Sequence, residues 1–195
     1  MFPQLAAYAL IGGGLKYIDD AFDEGLHSRK IASLMAPVLV ATWISLSVLD
    51  PYSATILTAV LLGVLFSGKI DNMIFTASSV AIILTVVLLS RDNILLFPLA
   101  VLTLFGIIDE KGNDYVDRHR TSGFLRFFFA HRCALKLALL ALCLASIIPI
   151  TYFFAFLCFD LAYDAVGYLG KLEIRKPEIQ EMPMLRSLYR IIVFG

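Results

Sequence analysis

The chain has 195 residues, 59% of them hydrophobic and 16% charged, with a mean hydropathy of +0.84 and no formal net charge. Soluble domains are about 45–50% apolar, so this composition argues against a water-soluble globular domain and predicts a membrane protein. A nucleic-acid partner calls for a basic footprint, and none is present.

Seven apolar segments follow in chain order, at 5–18, 31–49, 52–67, 73–90, 94–108, 133–148 and 150–159. A spanning helix needs about 20 residues at 1.5 Å each to cross a hydrocarbon core of about 30 Å. The first, fifth and seventh segments are too short unless their helices run on into the acidic motifs that follow. Asp19 and Asp20, Asp109, and Asp160 and Asp164 are therefore expected on last helical turns at the membrane–water boundary. The expected fold is all-α, a polytopic membrane bundle of about seven transmembrane helices over 1–170, with a cytoplasmic or interfacial tail at 171–195. No charged n-region precedes an A-x-A-like site, so no cleavable signal peptide is expected. Cys133, Cys143 and Cys158 lie in apolar runs without metal-ligand spacing and read as small buried hydrophobes.

If every segment spans, the acidic clusters follow segments one, three, five and seven and share one face. Of 16 Lys and Arg only Arg91 falls opposite (16 − 1 = 15), and of 16 Asp and Glu only Asp50 and Asp92 do (16 − 2 = 14). The positive-inside rule then makes the acidic face and the C-terminus cytoplasmic, in the cell membrane, with the N-terminus outside. An internal repeat is also suggested: Asp19 and Asp109 lie 90 residues apart, Asp71 and Asp164 lie 93 apart, and Asp50-Pro51 and Pro149 occupy corresponding turns.

Each acidic cluster admits a ligand-binding and an ordinary explanation. Asp19-Asp20-x-x-Asp23 puts carboxylates on one helical face, where like charges repel unless a cation lies between them. Mg²⁺, which takes one or two carboxylates plus substrate phosphates, suits that pattern; a solvated helix end is the alternative. Lys69-Ile-Asp71-Asn72 joins two spans, and either Asp71 or Asn72 can simply cap the next helix. Asp109-Glu110 and Asn113-Asp114-Tyr-Val-Asp117 are followed by Arg118, Arg120, Arg126 and Arg132 within a Phe-rich stretch. Guanidinium forks match phosphate oxygens, whereas for Arg126 and Arg132 a positive-inside loop anchored by aromatics is the better account. Asp160 and Asp164 stand at i, i+4 within an apolar helix, where a structural carboxylate needs a cation such as Lys136 or Arg132. His27, His119 and His131 share no ligand spacing. Gly12-Gly13-Gly14 lies too deep in the first span for phosphate and is expected to let helices approach closely.

Asn113-Asp-Tyr-Val-Asp117 and Asp160-Leu-Ala-Tyr-Asp164 resemble the NDxxDxxxD and DxxxD motifs of the UbiA-type membrane prenyltransferases, although Thr121 stands where the third aspartate of the former would fall. The resemblance implies an all-helical fold, Mg²⁺ held by aspartates, and transfer of a prenyl chain from its diphosphate at the cytoplasmic face. Gly14 to Asp23 with Ser28-Arg29-Lys30 is also similar to the G-x-x-DD loop of polyprenyl-phosphate sugar-1-phosphate transferases. The two families share Mg²⁺, a (di)phosphate and a lipid-borne isoprenoid. The expectation is thus a Mg²⁺-dependent transferase acting on an isoprenoid or other lipid diphosphate within the bilayer. Its metal ligands are drawn from Asp19, Asp20, Asp23, Asp71, Asp109, Asn113, Asp114, Asp117, Asp160 and Asp164, and its phosphate contacts from Lys69, Arg118 and Arg120. A cation transporter using the same carboxylates competes, but it needs charge near the midplane and access from the far face, which is nearly chargeless.

Overall fold

The structure, a computed structural model, describes residues 2–68, 73–90 and 93–181, with side chains described as far as Leu172. Lys69, Asp71, Arg91 and Asp92 lie outside the described residues, as does the tail beyond 181. Every described apolar segment is a helix: α1 Phe2–Asp19, α2 Arg29–Leu49, α3 Pro51–Ser67, α4 Met73–Leu89, α5 Leu96–Arg118, α6 Gly123–Ala130, α7 Cys133–Leu144 and α8 Ile150–Glu181. The three short segments continue through their acidic motifs, but only Asp19 lies on a last α-helical turn: α5 runs nine residues past Asp109 to Arg118 (118 − 109), and α8 runs 17 past Asp164 to Glu181 (181 − 164), so these acids are interior helical positions. A π-helical turn, Asp20–Glu24, extends α1 and closes at Gly25 in a left-handed conformation; α5 carries Asp109, Asn113, Asp114 and Asp117, and α8 carries Asp160 and Asp164.

One helix was not legible. The Phe/Arg stretch read as an anchored loop contains α6, which Ser122 caps by accepting a hydrogen bond from the Leu125 amide at 3.3 Å. A break of two residues and a 63° bend separate α6 from α7.

The polar contacts sort the helix ends into two sets. At one end Asp50 caps α3, its Oδ2 accepting from the Ser53 amide at 2.6 Å, and its Oδ1 accepts from the Tyr152 hydroxyl of α8 at 2.6 Å. Tyr8 and Gln4 of α1 reach Ser53, and the Leu95 amide ahead of α5 donates to Thr55 Oγ1. At the other end lie Asp19, Asp109 and Asp164, from the acidic ends of α1, α5 and α8, around one cavity. Helices α1 and α8 therefore run parallel, as first and last members of an alternating bundle would.

Close approach of α1 and α8 depends on glycine. A Cβ on Gly12 would lie 2.7 Å from the Phe159 carbonyl carbon and 3.0 Å from its Cα, so only a hydrogen fits between these backbones. Across the bundle, Gly63 of α3 faces Gly106 of α5, where a Cβ would meet the Gly106 Cα at 3.4 Å. The core between the helices gathers Tyr8, Ile11, Trp43, Leu57, Leu102, Leu139 and Phe156.

One expectation is cut back here. Among the described residues, only α2 and the Ile150–Leu172 part of α8 are long and apolar enough to cross a membrane, or three spans if the bent α6–α7 pair counts as one. α3 and α4 are apolar but have 17 residues each, which at 1.5 Å per residue falls short of about 30 Å. α5 is long enough, but its second half is charged. Outward faces are apolar to an extent rare in water. α4 buries Ser79, Ile82 and Val86 while exposing Val80, Leu84, Val87, Leu88 and Leu89.

Candidate functional site

A cavity of about 690 Å³ opens at the acidic end of the bundle. Its polar wall comes from four elements: Lys16 and Asp19 of α1, Asp109, Glu110 and Asn113 of α5, His131 and Arg132 at the α6–α7 bend, and Tyr163, Asp164 and Lys171 of α8. Its apolar wall includes Leu15, Val60, Val64, Phe75, Leu135 and Phe159. Polar and apolar side chains thus line one and the same space.

The aspartates that line this cavity are paired. Lys16 is held between Asp19 Oδ2 at 3.0 Å and Asp20 Oδ1 at 2.7 Å, with its ammonium 5.5 Å from the centre of the Tyr163 ring. The Tyr163 hydroxyl lies 3.5 Å from Asp19 Oδ2. Of Asp19, Asp20 and Asp23, only Asp19 is among the residues lining the cavity. Asp20 is buried, its Oδ2 and the buried His27 Nε2 have no hydrogen-bond partner among the described residues, and both flank Gly170. Asp23 is exposed on the outer turn.

Asp109 has a structural duty. Its two oxygens accept from the Ala134 amide at 3.0 Å and the Leu135 amide at 2.7 Å, capping the first turn of α7 from another helix. The capping fixes α7 against α5 and satisfies two amides that would otherwise be buried without partners. It also explains how the bend is set, since Arg132 just before α7 adopts a left-handed backbone at φ 46°, an uncommon conformation for a residue with a side chain. That conformation directs Arg132 into a three-way cluster. Its Nε lies 3.3 Å from Glu110 Oε1, its guanidinium lies 3.6 Å from Asp160 Oδ1, and its centre sits 4.4 Å from the Tyr163 ring.

Asp160 lies beneath the cavity, almost wholly buried, and is paired with Lys136 as well as Arg132. Both cations that the sequence offered as partners for a structural carboxylate are thus used. Asp164 lies a turn further along α8 and faces the cavity, where its Oδ2 is 2.9 Å from His131 Nδ1. Asn113 lines the cavity and donates to Asp117 Oδ2 at 3.4 Å, an i, i+4 contact on α5. Asp117, Arg118 and Arg120 are exposed and, with the half-buried Asp114, are not among the described lining residues.

The expected convergence is therefore partial. Asp19, Asp109, Asn113 and Asp164 come together; Asp20 and Asp160 lie behind them; Asp23, Asp114, Asp117, Arg118 and Arg120 stay outside, and Lys69 and Asp71 are not described. Among the described residues no group of three or more His, Cys, Asp or Glu side chains is disposed to hold a metal ion. The carboxylates have protein partners instead: Lys16 lies between Asp19 and Asp20, Arg132 between Glu110 and Asp160, while Lys136 pairs with Asp160 and His131 with Asp164. Lys16, His131 and Tyr163 are the cavity residues that motif reading passed over, because each is a single residue inside an apolar or aromatic run.

No family model matches the chain, and no curated protein or solved structure matches it either. The cavity must be interpreted from its own chemistry.

Proposed function

We propose that this chain is an integral membrane transferase that takes an isoprenoid or other lipid diphosphate into the cavity, with the headgroup at the Lys16–Arg132–Lys171 end and the chain along the apolar wall. The observation that carries this reading is the meeting of cationic and hydrocarbon surfaces within one 690 Å³ space between helices. A soluble anion would need only the first surface, and a hydrocarbon only the second.

Charge decides the form of the substrate. The cavity is lined by three fixed cations, Lys16, Arg132 and Lys171, and four carboxylates, Asp19, Asp109, Glu110 and Asp164. A bare diphosphate would meet surplus negative charge, whereas its Mg²⁺ complex brings the missing positive charge with it. Mg²⁺ is accordingly assigned as part of the substrate rather than as a resident ion, consistent with its preference for one or two carboxylates shared with phosphate oxygens. The extensive apolar exterior of α4 and the basic residues gathered at the cavity end support a seven-helix bundle in the cell membrane, with that end cytoplasmic and the N-terminus outside. Cysteines introduced at Asp23 and at Leu49, both exposed, should be labelled by impermeant reagents from opposite sides; labelling from one side would end the bundle topology.

Melting of the detergent-solubilised protein tests the ligand. Binding to the folded state raises the melting temperature by mass action, so Mg²⁺ and pyrophosphate together should stabilise more than the sum of either alone. Lys171→Ala, at an exposed cation of the cavity, should weaken the joint effect about fivefold in apparent affinity, roughly 1 kcal/mol. A response to Mg²⁺ without help from pyrophosphate would favour the cation-transporter reading, and no response to any combination would remove the diphosphate site. Labelled polyprenyl diphosphate should be consumed with Mg²⁺ and not with EDTA.

A further inference from the structure

We infer that His131 and Asp164 form a proton-transfer dyad that activates a hydroxyl nucleophile against the terminal phosphate of the bound lipid diphosphate; this rests on the lipid-diphosphate reading above. The two side chains come from positions 33 apart in sequence and meet at 2.9 Å, Nδ1 to Oδ2, on the cavity wall. An ionised carboxylate can only accept, so the hydrogen bond places the imidazole proton on Nδ1 and leaves the Nε2 lone pair to take a proton. This is the base-and-orienter arrangement that general-base catalysis requires.

Partly exposed His–Asp pairs are ordinary on protein surfaces, so the surroundings have to distinguish this one. Three features do. The Phe127 ring packs 4.6 Å from the imidazole, and the His131 backbone carbonyl is fixed by accepting from Lys136 Nζ at 2.6 Å. Its backbone position is set by the adjoining left-handed Arg132, the kind of strained conformation that persists where neighbouring structure enforces it. The next residue in sequence, Arg132, is a cation of the same cavity wall, which places the base beside the group assigned to phosphate. The Lys136 side chain also ties the dyad to the buried Asp160 pair beneath it.

The step balances as follows. The oxygen of the hydroxyl attacks the terminal phosphorus and a new O–P bond forms. The bond from that phosphorus to the bridging oxygen breaks, and its electron pair leaves on the lipid monophosphate. The hydroxyl proton passes to His131 Nε2 and from there to solvent. With water as the nucleophile the second product is inorganic phosphate. His131 is the catalytic residue in this scheme, and Asp164 is a positioning residue acting through it.

The test uses the full chain in lipid nanodiscs with geranylgeranyl diphosphate, Mg²⁺ and water, following release of inorganic phosphate and, separately, the melting shift on ligand addition. His131→Ala should cut phosphate release by about 10²–10⁴-fold with the melting shift retained, and added imidazole should restore part of the lost rate. His131→Gln keeps a donor for Asp164 and guards against loss of folding; it should be equally slow. Asp164→Asn should also be slow, with recovery in Asp164→Glu. Unchanged release in His131→Gln, or a lost rate in His131→Ala that imidazole does not restore, overturns the dyad. Wild-type protein that shows the melting shift but releases no phosphate overturns the dyad and leaves the binding reading standing. Wild-type protein with no melting shift removes both.

Discussion

Replacing Gly12 by alanine should be the most damaging single-methyl change in this protein. The added Cβ has no void to enter: it is directed at the Phe159 carbonyl group, with the carbonyl carbon 2.7 Å away. Flexible side chains yield to such intrusions, but the obstacle here is backbone within α8, so α1 and α8 must separate along their shared length. Overpacking commonly costs about 1–3 kcal/mol and occasionally more, and this site belongs at or above the upper end. Separation would also pull Lys16 away from Tyr163 and widen the cavity. Gly12→Ala should therefore lower the melting temperature strongly and weaken the joint Mg²⁺–pyrophosphate effect. Gly123→Ala supplies the control, because nothing lies within 4 Å of a Cβ there. If both variants melt alike, the close α1–α8 packing is not what holds this end of the bundle.

The second large effect concerns the buried ion pair below the cavity. Lys136→Met should cost about 3–5 kcal/mol, because it leaves the Asp160 carboxylate buried with only the more distant Arg132 for compensation. The double variant Lys136→Met, Asp160→Leu removes both charges, and should recover most of the loss while Arg132 keeps its Glu110 contact. Denaturation of the wild type, both single variants and the double variant gives the coupling energy directly. Additive losses would show that Asp160 and Lys136 do not depend on one another, and would restore Asp160 as a candidate ligand of the cavity. The outcome bears on function, since Lys136 also holds the His131 carbonyl.

Much of the fold was readable because it follows from composition and local periodicity. Apolar runs of this length have helical backbones wherever they lie, since helices satisfy their own N–H and C=O groups. The extension of α1, α5 and α8 into acidic motifs followed from a length requirement alone. The glycine run in α1 was legible for a related reason: a side chain of one hydrogen has one common use inside an apolar helix, and Gly12 against Phe159 has that use. Lys136 and Arg132 were legible only as the alternative to a metal or substrate role for Asp160, and it is the alternative that the contacts carry.

What the residues around the cavity do was decided only in three dimensions. Whether an aspartate faces a ligand, a lysine or a backbone amide depends on helix rotation and on which neighbour arrives first, and motif spacing contains neither. Asp109 and Asp160 look alike in sequence, yet one caps α7 through the Ala134 and Leu135 amides and the other is neutralised by Lys136 and Arg132. Asp19 and Asp20 are adjacent, yet one lines the cavity and the other is buried. His131 carried no signal at all, because its partner is 33 residues away on a different helix. The sequence by itself determined a helical and strongly apolar chain, since those properties are sums over residues. Tertiary structure alone decided which charges meet, because pairing energies fall off within a few ångströms and depend on neighbours that no local pattern specifies.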